Sequence, residues 1–115
     1  MIDSILTSTK KNLGLTDSVT AFDDTIVMHI NAILAELTQL GVGPAQGFRV
    51  EDASATWAQF LGDSPLLNLT QTLVYLKARL IFDPPALSFV IASMEKQIEE
   101  LTWRLTAQVE SMVTP

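Results

Sequence analysis

Cysteine is absent from this 115-residue chain, which excludes disulfides, thiolate zinc sites and cysteine nucleophiles. Histidine occurs once, as His29, so a histidine metal cluster would need several chains. Charge is scarce as well. Asp, Glu, Lys and Arg make up 17% of residues, against about a quarter in an ordinary globular domain. The shortage has two readings: part of the surface is covered by partners, or twelve threonines and eight serines do the solvating. Long apolar runs are also missing. The longest stretch without a charged residue is Ser64 to Leu76, well short of a membrane span, and no basic-then-apolar signal pattern opens the chain. The expectation is a soluble intracellular chain forming one domain over residues 1–115, without metal, cofactor or membrane contact.

Seven basic residues stand against thirteen acidic ones, a net charge of −6. That argues against phosphate-backbone binding as the main activity, because such binding relies on clustered Lys and Arg. Apolar residues reach 48%, enough for a core. At this mass a folded chain exposes about 6,200 Å², roughly a third of its unfolded surface.

The apolar positions repeat at helical spacing in four places. A first helix is expected from Asp3 as N-cap to Leu13, with Gly14 as its stop. A second starts after Asp23 or Asp24, carries Ile26, Ile30, Ile33, Leu37 and Leu40 on one side, and ends at Gly41. Residues 41–52 hold three glycines and Pro44 and read as a long loop, with an extended piece at Phe48 to Val50. A short helix follows from Ser54 through Trp57, Phe60 and Leu61 to Gly62. Ser64 and Pro65 then open a long helix with Leu66, Leu69, Leu73, Leu76 and Leu80 along one side. Pro84 and Pro85 stop it. Asp83 is expected to cap the last helix, with both prolines in its first turn, and Leu87, Ile91, Met94, Ile98, Leu101 and Leu105 form its seam to about Val109. Two long helices so closely joined must lie antiparallel. The fold class is all-α: a compact bundle of four longer helices plus one short helix, ending in a flexible tail at 106–115.

No residues assemble an obvious catalytic site. His29 sits at the edge of the second helix's seam, and nothing local orients it or offers it a proton to move. Glu100 is spaced for i,i+4 pairing with Lys96 and Arg104, the usual decoration of a solvated helix face. Asp23–Asp24 and Glu51–Asp52 have capping or loop roles, and Lys10–Lys11 reads as surface charge at a helix C-terminus. A small helical enzyme acting on an anionic substrate would need several inward basic groups. Lys77 and Arg79 are the nearest approach, and they point about 200° apart on their helix. The reading is of a protein that is not an enzyme.

The last helix is less ordinary. Opposite its seam, Phe89, Ala92, Lys96 and Trp103 share one face, where a surface helix should be polar. Either the N-terminal helices cover this side too, or it is a subunit or partner interface. Past Leu105, Val109, Met112, Val113 and Pro115 leave the C-terminal end apolar, with Glu110 its sole charge. That end frays, or it waits for a docking groove.

Four strings carry a likeness to a known family: QLGVGP (Gln39 to Pro44), TWAQFLGD (Thr56 to Asp63), YLKARLIFDPP (Tyr75 to Pro85) and ELTWRL (Glu100 to Leu105). In order and spacing the chain resembles the head–tail connector (adaptor, head-completion) proteins of siphophages and prophages, over roughly Ile5 to Leu105. The resemblance implies a structural virion protein made in the bacterial host cytoplasm. It would form a homo-oligomeric ring, commonly dodecameric, docked on the portal protein at the head–tail junction. That ring extends the DNA channel without binding DNA specifically and offers a platform to a stopper or tail-completion protein. The C-terminal segment Val109, Met112, Val113 and Pro115 would then dock on the portal. The rival reading is an all-α interaction module, a regulatory partner that uses the aromatic helix face.

Overall fold

A computed structural model describes residues 4–113 and contains, among them, five helices and no strand. α1 spans Ile5–Asn12, α2 Asp23–Gln39, α3 Trp57–Leu61, α4 Leu67–Phe82 and α5 Ser88–Val113. The all-α class and the bundle of four longer helices with one short one are as the sequence predicts.

Local chemistry explains the boundaries. Asp3 lies outside the described residues; the observed N-cap of α1 is Ser4, whose hydroxyl accepts the Thr7 amide at 3.2 Å. α1 and α2 end alike. The Leu15 amide reaches back to the Lys10 carbonyl at 2.8 Å and the Val42 amide to the Leu37 carbonyl at 2.9 Å, with Gly14 and Gly41 at positive φ between. Both are the paired closure that needs a left-handed residue, and glycine adopts it without steric cost. α3 is capped by Thr56 rather than Ser54. Thr56 and Gln59 exchange side-chain and backbone bonds in a capping box, while Ser54 closes a turn on the Asp52 carboxylate. The Ser54 hydroxyl, and after it the Ser54 amide, hold the Asp52 carboxyl below its ordinary value.

α4 begins two residues later than Ser64–Pro65 implies. Those residues form a preliminary turn in which the Ser64 hydroxyl accepts the Leu66 amide at 3.1 Å. The link to α5 differs more. Asp83 closes α4 rather than capping α5, and neither proline enters the last helix. A residue that precedes proline is driven out of the helical region, so the Pro84–Pro85 pair keeps the chain extended. Regular structure resumes at Ser88, with the Leu87 carbonyl accepting from Val90 and Ile91. α5 then continues to Val113. Residues 106–113 are therefore helix, where the sequence reads as a tail.

α4 is the central helix and packs against α1, α2 and α5. Its Leu73, Val74 and Ala78 join Ile26, Ile30, Ile33, Leu34 and Leu37 of α2, Ile5 and Leu6 of α1, and Leu105 of α5 in one buried cluster. Phe22, just before α2, meets Phe82 at the end of α4 with ring centroids 5.4 Å apart, so α2 and α4 run in opposite directions. Pro65, just before α4, and Asn68 in its first turn border the same surface concavity as Ala107 and Gln108 of α5, so α4 and α5 are antiparallel too. α2 and α5 consequently point the same way.

The 41–52 loop is folded onto this body. Phe48 to Val50 joins no strand; Val50 is instead held by the Asn31 side chain, whose amide donates to the Val50 carbonyl and whose oxygen accepts the Val50 amide, both at 2.8 Å. One residue of α2 thus supplies what a neighbouring strand would. The lone bridge among the described residues pairs Ser4 with Thr56, beside a Trp57 indole that donates to Ser8 at 2.9 Å.

Candidate interaction surface

The C-terminal helix is where the surface departs from expectation. Its seam faces the core as read, with Met94 and Leu105 buried and Ile91, Ile98 and Leu101 half-buried, whereas Leu87 lies in the link and is exposed. On the far side Phe89 is 71% exposed and Trp103 70%, with Ala92 and Lys96 exposed between them. The N-terminal helices therefore do not cover this face. Large aromatics in water cost free energy that burial against another protein would recover, at about 25 cal/mol per Å².

Charges around the stripe are only partly paired. Glu100 binds Arg104 at 2.8 Å, not Lys96, which is exposed and makes no ion pair among the described residues. Ser93, Lys96, Gln97, Glu99, Glu100 and Trp103 border a shallow open depression along α5. A single helix flank of this kind can seat a partner's side chains, but it does not enclose a small substrate.

The C-terminal residues separate into two kinds. Val109 is half-buried and packs against the core: its Cγ1 lies 2.8 Å from where a Cβ on Gly41 would stand, which is a second reason for glycine there. Met112 is 58% exposed in the last turn of the helix. Val113 is the last helical residue and Pro115 lies outside the described residues.

Several of the remaining polar groups have structural partners, while the buried Thr70 hydroxyl has none among the described residues. His29 is half-buried on α2, and no group of three or more His, Asp or Glu among the described residues could hold a metal ion. Lys77 pairs with Glu36 across α4 and α2, and Arg79 bonds the Tyr75 hydroxyl and the Asp83 carbonyl at the end of α4. Neither forms an anion clamp. Lys10 is not surface charge. Its side chain is 4% exposed and its ammonium meets Asp23 at 2.9 Å, tying the end of α1 to the start of α2. Sequence reasoning missed this pair because a lysine beside a second lysine reads as solvated. It also passed over the exposed Phe22, Met28 and Ile81, although Met28 could have been found by its position opposite the Ile26–Ile33 seam.

No described helix is long and apolar enough to cross a membrane. Neither the curated proteins nor the solved structures contain a match to the chain. A family model described as phage connector protein matches residues 5–112. The match runs from the first residue of α1 to the penultimate residue of α5, so it covers the whole helical body. The chain belongs to the phage connector protein family, as a structural virion component that meets other head and tail proteins.

Proposed function

We propose that the protein is one subunit of a dodecameric ring at the neck of a tailed phage. The ring docks on the portal vertex, lengthens the DNA channel and presents a platform to a stopper or tail-completion protein. The observation that carries this reading is the connector match over residues 5–112. The exposed Phe89–Trp103 face supports it, since a ring subunit must keep apolar surface in reserve for its neighbours. The exposed Met112 in the last turn of α5 is suited to the portal, because an apolar side chain at a helix end can enter a groove. A net charge of −6 suits a bore through which DNA slides without adhering. Synthesis takes place in the bacterial host cytoplasm, before assembly.

Side-by-side contacts between such subunits are individually modest and multiply once a portal template holds the copies together. Electron microscopy of the purified protein, alone and mixed with portal, should show rings at least in the mixture. The Trp103→Glu variant should keep wild-type helicity and thermal stability, because that side chain already faces water, and should form no rings. A variant that unfolds would assign Trp103 to the core; one that still assembles would remove the α5 face from the interface.

A further inference from the structure

A closed ring of more than two copies is joined by heterologous contacts, in which each subunit offers two different surfaces. If the ring reading holds, the outer face of α5 is one of them and cannot pair with itself. The other must lie elsewhere on the same chain.

α2 carries a suitable counterpart. Away from its buried seam it turns Thr25, Met28, Ala32, Ala35 and Gln39 to solvent, with the exposed Asp24 and Glu36 at the two edges of that strip. Met28 is 60% exposed. Charge is confined to the edges of a side that ordinarily carries it throughout. The two faces also differ in relief: α5 projects Trp103, while α2 is low at Ala32 and Ala35, so a large side chain on one meets a shallow strip on the other. α4 packs against both helices, and both seams enter the shared core, so the two outer faces look away from it.

Their heights agree. Val109 lies against Gly41, which levels the end of α5 with the end of α2. At 1.5 Å of rise per residue, Trp103 stands about 9 Å before Val109, and Ala35 stands about 9 Å before Gly41. Lys96 and Met28 are each about 20 Å before those same points. Because α2 and α5 point the same way, rotation about a ring axis along them preserves that match, and a closed ring adds no rise from copy to copy. One charge pair is complementary, beside the exposed Glu99 of α5 and Glu36 of α2. Lys96 is exposed without an ion pair among the described residues, and so is Asp24, one turn before Met28.

We infer that the outer face of α5 seats on the outer face of α2 of the next copy. Trp103 lies over Ala32 and Ala35, and the stem of Lys96 crosses Met28 to bring its ammonium to Asp24. This rests on the ring reading and names the two surfaces that would build it.

The chain has no cysteine, so the contact can be tested by introducing two. Ala107 and Gln39 are exposed, belong to the two faces and stand at equal height, about 3 Å before Val109 and Gly41, yet neither carries the contact. A short bis-maleimide tolerates a gap that a disulfide would not. With the full chain and portal, the Ala107→Cys, Gln39→Cys double variant should cross-link into a ladder of multimers. An equimolar mixture of the two single variants should stop at dimers, and each single variant alone should stay uncross-linked. Rings visible by electron microscopy without this ladder overturn the inference and leave the ring reading standing. Self-cross-linking of Ala107→Cys alone overturns it in favour of face-to-face pairing. If no rings form in any preparation, the ring reading fails and this assignment fails with it.

Discussion

Lys10 and Asp23 show how much one side chain's surroundings change its meaning. A lysine at the last turn of a short helix favours the carbonyl end of that helix wherever it points. Here it points inward, and its ammonium has left water for a contact with Asp23 at the first residue of α2. A buried charge is tolerated only while its partner remains. Asp23→Asn should therefore destabilise the fold by about 3 kcal/mol, the lower end for breaking a buried pair, because Asp23 itself keeps some contact with solvent. Lys10→Met, which removes the charge and retains the stem's apolar contacts, should cost less than Asp23→Asn. Urea unfolding of the two variants measures the order directly. Equal losses would mean that packing, rather than the charge, dominates at this junction.

Among the elements, the 41–52 loop is the one whose glycines are not interchangeable. Gly43 and Gly47 both have φ near +90°, so each avoids the penalty of about 1–2 kcal/mol that a side chain pays in that region. Only Gly43 also sits under an aromatic ring: an added Cβ would stand 2.4 Å from a carbon of Phe60, which is buried and in contact with Phe48. A Cβ on Gly47 would meet nothing. Gly47→Ala should cost about 1–2 kcal/mol, and Gly43→Ala about 1–3 kcal/mol more, because Phe60 must leave its packed position. Thermal denaturation of both variants resolves the difference, and equal shifts in Tm would show that the Phe60 ring yields freely. The loop is thereby anchored at Gly43 by Phe60 and at Val50 by Asn31, which makes it part of the body rather than an arm reaching toward a partner.

For the molecule as a whole, the surface is larger and less charged than a solitary domain of its mass requires. Its accessible area is 6960 Å², against about 6,200 Å² for a typical monomer, on a body of 46 × 36 × 23 Å. Exposed Phe22, Ile81, Phe89 and Trp103 account for part of that surface. The basic residues are mostly engaged: Lys10, Arg49, Lys77, Arg79 and Arg104 all have carboxylate partners. Lys11 and Lys96 are the exposed cations outside those pairs, too few and too dispersed to follow a phosphate backbone. Duplex DNA should show no gel shift at physiological salt. A salt-sensitive shift at low micromolar protein would reverse this and make Lys11 and Lys96 the first residues to change.

The sequence by itself determined the helices and their apolar seams, because 3.6-residue periodicity is local and survives any arrangement of the parts. It also placed Gly14 and Gly41 as helix stops, and its four strings pointed to the connector family that the match over 5–112 bears out. It placed the caps of α3 and α5 less well, since Ser54 and Thr56, or Asp83 and the residues after it, offer similar chemistry until the backbone selects one. The aromatic face was legible on Phe89 and Trp103 as residues of one helix side, but whether other helices covered it was not. That answer, like the burial of Lys10 and the packing of Val109 on Gly41, depends on contacts between residues far apart in the chain. Only the tertiary structure decided them, because a helix's own period says which side is apolar and nothing about what stands opposite.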